Sequence, residues 1–139
     1  MRSAKIKSHA KINLALNIIG KTSYLHKIET LVAFAALHDQ IYIKNIKSKK
    51  HKIIFIGKFS KNIGKNNTIS KLLKILERKK LLKNKKFEIK INKLIPSKAG
   101  LGGGSMNASS IFKYFVKKKI VKVGNKEIVE ISKLIGSDV

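Results

Sequence analysis

A glycine-rich segment between a strand-like run and a helix-like run constrains this chain more than any other feature. Residues 96 to 110 read Pro-Ser-Lys-Ala-Gly-Leu-Gly-Gly-Gly-Ser-Met-Asn-Ala-Ser-Ser and hold four of the nine glycines. The alternating run from Phe87 to Ile91 predicts a strand before it, and Asn107 to Lys118 predicts a helix after it. Glycine lets a backbone approach a ligand closely, and the free amides and dipole of a helix start favour anions. The segment is therefore interpreted as a phosphate-binding loop.

The periodicity elsewhere predicts an α+β domain. Predicted strands cover Ala10 to Ile19, Ile28 to Leu37, Gln40 to Ile46 and Ile53 to Ile56. Two further helices are predicted: Ile69 to Lys80, capped within residues 66–68, and Lys126 to Ile135, ended by a C-cap at Gly136. Strands precede helices, which favours α+β over a doubly wound parallel sheet. Neither a repeat nor a linker divides residues 1–139, which predicts one domain.

Length and composition limit the class of protein. The chain has 139 residues, 43% of them hydrophobic, and no cysteine. This suits one domain, or a piece of a larger protein, and nothing in it predicts secretion or disulfides. No apolar run approaches the ~18 residues of a membrane helix, and the first five residues lead into no signal peptide. A cytoplasmic location is expected.

The net charge of +25 has two interpretations. It would suit a nucleic-acid partner, since phosphate backbones attract basic proteins. However, only Arg2 and Arg78 are arginines, so 30 of the 32 basic residues are lysines (32 − 2), spread along the whole chain. Specific nucleic-acid sites rely on arginine forks and stacking aromatics. Compositional drift is favoured over a nucleic-acid partner, and residues 44–52 are interpreted as a solvated lysine-rich loop.

Three familiar glycine loops do not match. A Walker A loop requires Gly, four residues and Gly-Lys-Ser/Thr, but Ala15 stands where the first glycine before Gly20-Lys21-Thr22 belongs. A dinucleotide fingerprint requires Gly or Ala where this chain has Ser105. The protein-kinase glycine loop lies between two strands, whereas this one opens a helix.

The pattern Pro-x-x-x-Gly-Leu-Gly-Gly-Gly-Ser-x-Asn-Ala resembles the phosphate loop of the GHMP kinases. Two further segments are similar to the 4-diphosphocytidyl-2-C-methyl-D-erythritol kinase family within that superfamily. His9 to Leu14 reads His-Ala-Lys-Ile-Asn-Leu, where the family has Pro-Ala-Lys-Ile/Leu-Asn-Leu. Leu134 to Val139 reads Leu-Ile-Gly-Ser-Asp-Val and resembles the family's Leu-Gly-Ala-Asp-Val. The three segments keep the family's order and approximate spacing.

The resemblance implies a fold and an activity. The fold is the superfamily's N-terminal nucleotide-binding domain, which is similar to the second domain of ribosomal protein S5. The implied reaction is phosphorylation of the 2-hydroxyl of 4-diphosphocytidyl-2-C-methyl-D-erythritol by ATP with Mg²⁺, a step of non-mevalonate isoprenoid synthesis. Family members are roughly twice as long, so the resemblance implies that a C-terminal domain is absent from these residues and that they are inactive alone.

The resemblance also implies roles for individual residues. It implies catalytic roles for Lys11 and Asp138, in which Lys11 holds the carboxylate ionised and Asp138 orients or deprotonates the substrate hydroxyl. Asn13 and His26 are implied in substrate binding. The Ser105 hydroxyl is a candidate ligand of phosphate or Mg²⁺. The implied ATP-binding residues are Pro96, Ser97, Lys98, Ala99, Gly100, Leu101, Gly102, Gly103, Gly104, Ser105 and Met106.

Several positions depart from the family's pattern. His9 replaces a proline, Met106 replaces a serine, and the segment before His26 lacks the usual Asp-Gly-Tyr. Two alternatives stay open: another GHMP small-molecule kinase, and a basic S5-like nucleic-acid binder without catalysis. Among the other ionisable groups, Asp39 is interpreted as a turn residue, Glu77, Glu127 and Glu130 as exposed helix positions, and His51 as having no role.

Overall fold

Four strands and three helices follow one another within residues 2–139, which the computed structural model describes. In chain order they are β1 (Ala4–Lys21), β2 (His26–Ile46), β3 (Lys52–Ile56), α1 (Thr68–Arg78), β4 (Lys86–Asn92), α2 (Gly103–Lys117) and α3 (Asn125–Ile135). The strands form one mixed sheet in the order β1-β2-β4-β3, in which only β3 and β4 pair in parallel. The predicted α+β class is confirmed.

One face of the sheet carries the core. Alternate residues of β4 (Phe87, Ile89 and Ile91) are buried, as are Ile41 and Ile43 on the neighbouring β2. This period of two places them on the same face, where they form one cluster with buried side chains of all three helices. No helix of the described chain is long and apolar enough to cross a membrane.

Several boundaries differ from the prediction. The two strands predicted within residues 28–46 are one continuous strand, β2, because residues 26–43 pair with β1, apart from an irregularity at residues 35–37, and residues 40–46 pair with β4. Helix α2 begins at Gly103, four residues earlier than predicted, so two loop glycines belong to its first turn. Gly136 is the C-cap of α3, as predicted, and its φ of 174° is extended backbone.

Strands β1 and β2 continue beyond the core as a hairpin with exposed apolar side chains. Leu14 is 61% exposed, Ile18 64% and Phe34 62%, and Tyr24 near the turn is almost fully exposed. Scattered exposed apolar residues are ordinary, but a contiguous apolar patch is uncommon on a monomeric protein. The hairpin therefore presents a surface whose exposure to water is unfavourable.

We expect the 139-residue chain to self-associate through this hairpin. The net charge of +25 opposes association, so the effect should appear when salt screens the charge. Replacing Leu16 and Phe34 together by threonine keeps a residue suited to strands and removes apolar area, which should lower the association constant at least about tenfold. Sedimentation in about 0.5 M salt, which screens the repulsion between charged chains, measures the association constant. Val129→Thr on α3, also exposed, is the control; equal effects of both changes would contradict the expectation.

His51, Glu77 and Lys86 form a partly buried polar cluster at the other side of the domain. Nδ1 of His51 accepts the Phe87 N–H at 3.0 Å, and its Nε2 lies 3.0 Å from Oε1 of Glu77. The ammonium of Lys86 also donates to that carboxylate. Glu77 is therefore a partly buried, paired residue and not the predicted exposed helix position. The spacing of residues along the chain does not reveal this cluster, because its members lie in the loop after β2, in α1 and in β4.

Acid should destabilise the domain through this cluster. Burial lowers the pKa of the His51 imidazole below its ordinary 6.5, despite the opposing charge of Glu77. The hydrogen bond from Lys86 lowers the pKa of the Glu77 carboxyl below 4.5. Both groups bind protons more tightly in the unfolded chain, so stability is lost as the pH falls below 6.5 and again below 4.5.

Urea unfolding at a series of pH values from neutral to acid tests this expectation. His51→Gln should flatten the fall in the free energy of unfolding as the pH drops below the ordinary histidine pKa of 6.5. His26→Gln, which changes an exposed histidine at the hairpin, is the matched control. The expectation is wrong if the two variants show the same pH dependence.

Candidate functional site

The start of helix α2 offers backbone donors to a ligand. Its N-cap residue is Gly102, which has no side chain to accept a hydrogen bond, and its first turn holds no acidic residue. Met106 is the first residue whose N–H bonds back along the helix, to the Gly102 carbonyl at 2.8 Å. The amides of Gly103, Gly104 and Ser105 therefore have no acceptor within the helix. Together with the helix dipole they form an anion-binding end.

Helix α1 begins beside α2 but is closed by its own side chains. Oδ1 of Asn67 accepts the N–H groups of Ile69 and Ser70, at 3.1 and 2.9 Å, and Oγ of Ser70 accepts the Asn67 N–H. The two helix starts are joined where Oγ1 of Thr68 donates to the Gly104 carbonyl at 2.8 Å. The side chains of α1 therefore cap its own start, whereas the adjacent start of α2 has no side-chain cap and can accept an external anion.

The loop before α2 bends through three residues with left-handed backbone. The φ angles are 59° at Lys98, 71° at Gly100 and 65° at Gly102. Turns of this kind bring successive N–H groups to one concave side. The loop forms the wall of a cleft of about 350 Å³. It is lined by Phe55, Ile63, Asn67, Thr68, Ile69, Lys93, Ile95, all residues from Pro96 to Ser105, and Asn107.

Ten of the eleven residues predicted for ATP binding thus line this cleft, and Met106 does not. The Met106 amide is already bonded to Gly102, and its side chain lines a different groove, between β1 and α2, with His9 and Phe34. The reason is helical periodicity, since Met106 and its neighbour Ser105 point about 100° apart around α2. Met106 still lies beside the loop, since a Cβ on Gly102 would be 3.6 Å from Met106 Cγ, and its role in ATP binding stays a prediction.

Lys11 contacts the loop next to an irregularity in the pairing of β1 with β2. The pairing of β1 with β2 shifts between His9 and Lys11, and the Lys11 N–H donates to the Leu101 carbonyl at 3.0 Å. The Lys11 side chain also covers Gly102, where a Cβ would lie 3.6 Å from Lys11 Cε. Lys11, which the sequence predicts at the site, therefore lies at the loop. The contact between the edge strand β1 and the loop leaves no comparable mark in the sequence.

The floor of the cleft contains buried polar groups that sequence analysis did not single out. The Lys93 side chain is 6% exposed and donates to the fully buried Asp39 carboxylate. Asn107 is 1% exposed, and within the described residues its Oδ1 has no hydrogen-bond partner. Asp39 is therefore a buried strand residue and not the predicted turn residue. A charged residue between Leu37 and Ile41 in a strongly apolar strand was the available signal.

The structure does not bring the remaining predicted residues to the cleft. Asp138 is exposed in the turn after α3, and across residues 2–139 it forms no ion pair of 4.0 Å or less with Lys11. Asn13 is exposed on the hairpin, where its Oδ1 accepts from Thr30 at 3.4 Å. His26 pairs with Lys21, about 33 Å along β1 from Lys11 at ~3.3 Å per residue. Their roles stay predictions.

A sheet with helices on one face and an uncapped, glycine-walled helix start defines a class of phosphate-binding α+β domains. Residues 67–139 match the family model of the GHMP kinases N terminal domain, which is more than half of the chain. The chain belongs to the GHMP kinase family.

Two relatives that are similar in sequence carry the same kinase name. The chain is 63% identical over 139 residues to the 4-diphosphocytidyl-2-C-methyl-D-erythritol kinase of Pelagibacter ubique (strain HTCC1062), covering all of this chain and 50% of the relative. It is 33% identical over 137 residues to the kinase of the same name from Finegoldia magna, covering 96% of this chain and 48% of that one.

Solved structures share the fold. A crystal structure of 4-(cytidine 5'-diphospho)-2C-methyl-D-erythritol kinase matches with a TM-score of 0.73 at 24% identity, over 98% of this chain and 47% of that one. A homoserine kinase from Cytophaga hutchinsonii matches with a TM-score of 0.64 at 17% identity, over 95% and 40%. The chain spans about half the length of the curated relatives that it matches.

Proposed function

We propose that this chain is the nucleotide-binding half of a kinase that transfers the γ-phosphoryl group of ATP to the 2-hydroxyl of 4-diphosphocytidyl-2-C-methyl-D-erythritol, a step of non-mevalonate isoprenoid synthesis. The single observation that carries the proposal is the open start of α2, with its free amides in a glycine-walled cleft. The chain is 63% identical to a relative named 4-diphosphocytidyl-2-C-methyl-D-erythritol kinase, which supports this alcohol as the proposed substrate.

The cleft suits the triphosphate of ATP in charge and geometry. Its anion-binding groups are the first amides of α2, and the Lys11 side chain lies over Gly102 beside them. Within residues 2–139, none of the side chains that line the cleft is a carboxylate, so none of them carries a negative charge that would repel phosphate.

The proposed reaction is an in-line displacement. The substrate oxygen bonds to the γ-phosphorus while the bond from that phosphorus to the β,γ-bridging oxygen breaks, and ADP leaves. Asp138 takes the proton of the attacking hydroxyl. Lys11 offsets the charge on the transferring phosphoryl group, and the α2 amides hold the remaining phosphates. Since Asp138 lies outside the cleft, its role requires the bound alcohol to reach between the turn after α3 and the loop.

The residues present fit a nucleotide-bound Mg²⁺ with few protein ligands. No cluster of three metal-ligating His, Cys, Asp or Glu side chains occurs in the part of the chain that the structure describes. Mg²⁺ in kinases is held by phosphate oxygens, waters and one or two protein oxygens. The Ser105 hydroxyl, in the first turn of α2, is the protein oxygen we assign to it. When bound, Mg²⁺ neutralises charge on the phosphates.

A hybrid kinase tests the function. In it, this chain replaces the matching half of the Pelagibacter ubique relative, to which it aligns over its full length. We expect the hybrid kinase to form ADP with the cytidyl substrate and to be much less active with homoserine or mevalonate. The relative's second half alone sets the background. A preference for another alcohol would contradict the proposed substrate, and no turnover with any alcohol would contradict the kinase activity.

The 139-residue chain alone is expected to bind an ATP analogue but to turn over no substrate, since the relatives are about twice as long. Calorimetric titration and a coupled ADP assay measure the two properties. Robust turnover by the chain alone would overturn this expectation. RNA binding that weakens steeply with salt, without nucleotide binding, would favour the nucleic-acid alternative.

A further inference from the structure

A buried ion pair lies directly beneath the phosphate-binding loop. Asp39 on β2 is fully buried, and its Oδ2 accepts from the Lys93 ammonium, whose side chain is 6% exposed. Removing two charges from water is costly, and an apolar pair of similar size would often stabilise a core as well or better. Packing stability alone therefore does not explain why this position holds charges.

The Asp39 carboxylate also holds the backbone that leads to the loop. Its Oδ1 accepts the N–H of Leu94 at 2.7 Å and of Ile95 at 2.8 Å. These residues follow the end of β4 and precede Pro96, the first residue of the glycine-rich segment. One carboxylate thus binds three consecutive residues, by one side chain and two amides, immediately before the chain turns into the loop.

Lys93 is fixed at both ends. Its N–H donates to the Ile56 carbonyl at 2.7 Å, and its carbonyl accepts the Phe59 N–H at 3.3 Å. At the other end of the side chain, the Lys93 ammonium lies close to Gly103. A Cβ added to Gly103 would be 3.3 Å from Lys93 Nζ and 3.3 Å from Ile95 Cγ2. Gly103 is the first residue of α2, so the pair sets how deeply the start of this helix sits.

We propose that Asp39 and Lys93 are positioning residues for the phosphate site. Asp39 acts through Lys93 and through the backbone of residues 94–95 to hold Gly103 and its amide where a nucleotide phosphate meets them. Only the identity of the ligand rests on the proposed function. The rigidity that Asp39 and Lys93 give to the loop is a property of the chain without a ligand.

The test compares variants of the 139-residue chain. Asp39→Asn keeps an oxygen for the Leu94 and Ile95 amides but removes the charge that Lys93 requires. We expect amide hydrogen exchange at residues 101–105 to quicken and affinity for an ATP analogue to fall at least about tenfold, as small misplacements of binding groups do. Ile131→Ala, at a fully buried position of α3, is the control for lost stability. It should leave both readouts within about threefold of the parent chain.

The double variant Asp39→Asn/Lys93→Met covers the case in which Asp39→Asn does not fold. It has no unpaired buried charge, so it should fold, yet it should show the same faster exchange and weaker binding. The proposal is overturned if the double variant matches the parent chain in both readouts, or if Ile131→Ala changes them as much. If the parent chain binds no nucleotide, the proposed function fails at that point, whereas hydrogen exchange still decides the positioning role.

Discussion

Replacing Asp138 by asparagine in the hybrid kinase is expected to lower kcat by about 10²–10⁴-fold with little change in the KM for ATP. The size is that of a lost general base, because asparagine keeps the shape of the side chain but cannot accept the hydroxyl proton. ATP binding should be unaffected, since Asp138 does not line the cleft in which the phosphates are proposed to lie. Steady-state kinetics with the cytidyl substrate measure both constants.

Two companion variants sharpen this prediction. Glu130→Gln removes an exposed carboxylate from α3 nearby and should leave kcat within about twofold, as surface changes usually do. Lys11→Met should lower kcat as well and should also weaken ATP binding, because Lys11 lies against Gly102. If Asp138→Asn keeps more than about a tenth of the parent kcat, Asp138 is not the base.

Gly103→Val should abolish most nucleotide binding by the 139-residue chain. A Cβ at Gly103 would lie 3.3 Å from Ile95 Cγ2 and from Lys93 Nζ, and valine adds two methyl groups beyond it. The start of α2 must then move away from the floor of the cleft, and the amides that hold phosphate move with it. We expect at least about a hundredfold loss of affinity, and a stability cost of about 1–3 kcal/mol for overpacking.

Gly124→Val is the matched control for that variant. Gly124 is the N-cap of α3, has a φ of −83°, and a Cβ there would meet no heavy atom within 4 Å. Valine at this helix start should leave nucleotide affinity unchanged in calorimetric titration. If Gly103→Val binds the ATP analogue as tightly as Gly124→Val does, the assignment of the α2 start as the phosphate site is wrong.

The elements with strong local periodicity were predictable from the sequence. The apolar spacing of Ile69, Leu72, Leu73 and Leu76 predicted α1, and all four side chains are buried in the core. The alternation in β4 likewise matches its buried face. The extent of β2 was less accessible, because its outer half gains order by pairing with β1 while its apolar side chains stay exposed.

The candidate site divides in the same way. The glycine loop could be identified because glycines at a helix start have few other uses and lie next to one another in the chain. The pairing of Asp39 with Lys93 could not, because the two residues are 54 positions apart and a lysine-rich chain offers many equivalent lysines. Nor could the groove that receives Met106, which depends on how α2 packs against β1.

The sequence alone therefore determined the fold class, the position of the glycine-rich loop and the resemblance to the GHMP kinases, since each depends on residues adjacent in the chain or on a fixed period. Only the tertiary structure decided which groups surround the loop. It closed the α1 start with Asn67, left the α2 start open, and brought Lys11 over the loop and the Asp39–Lys93 pair beneath it. The physical reason is that burial and hydrogen bonding select among many similar side chains only when distant segments meet.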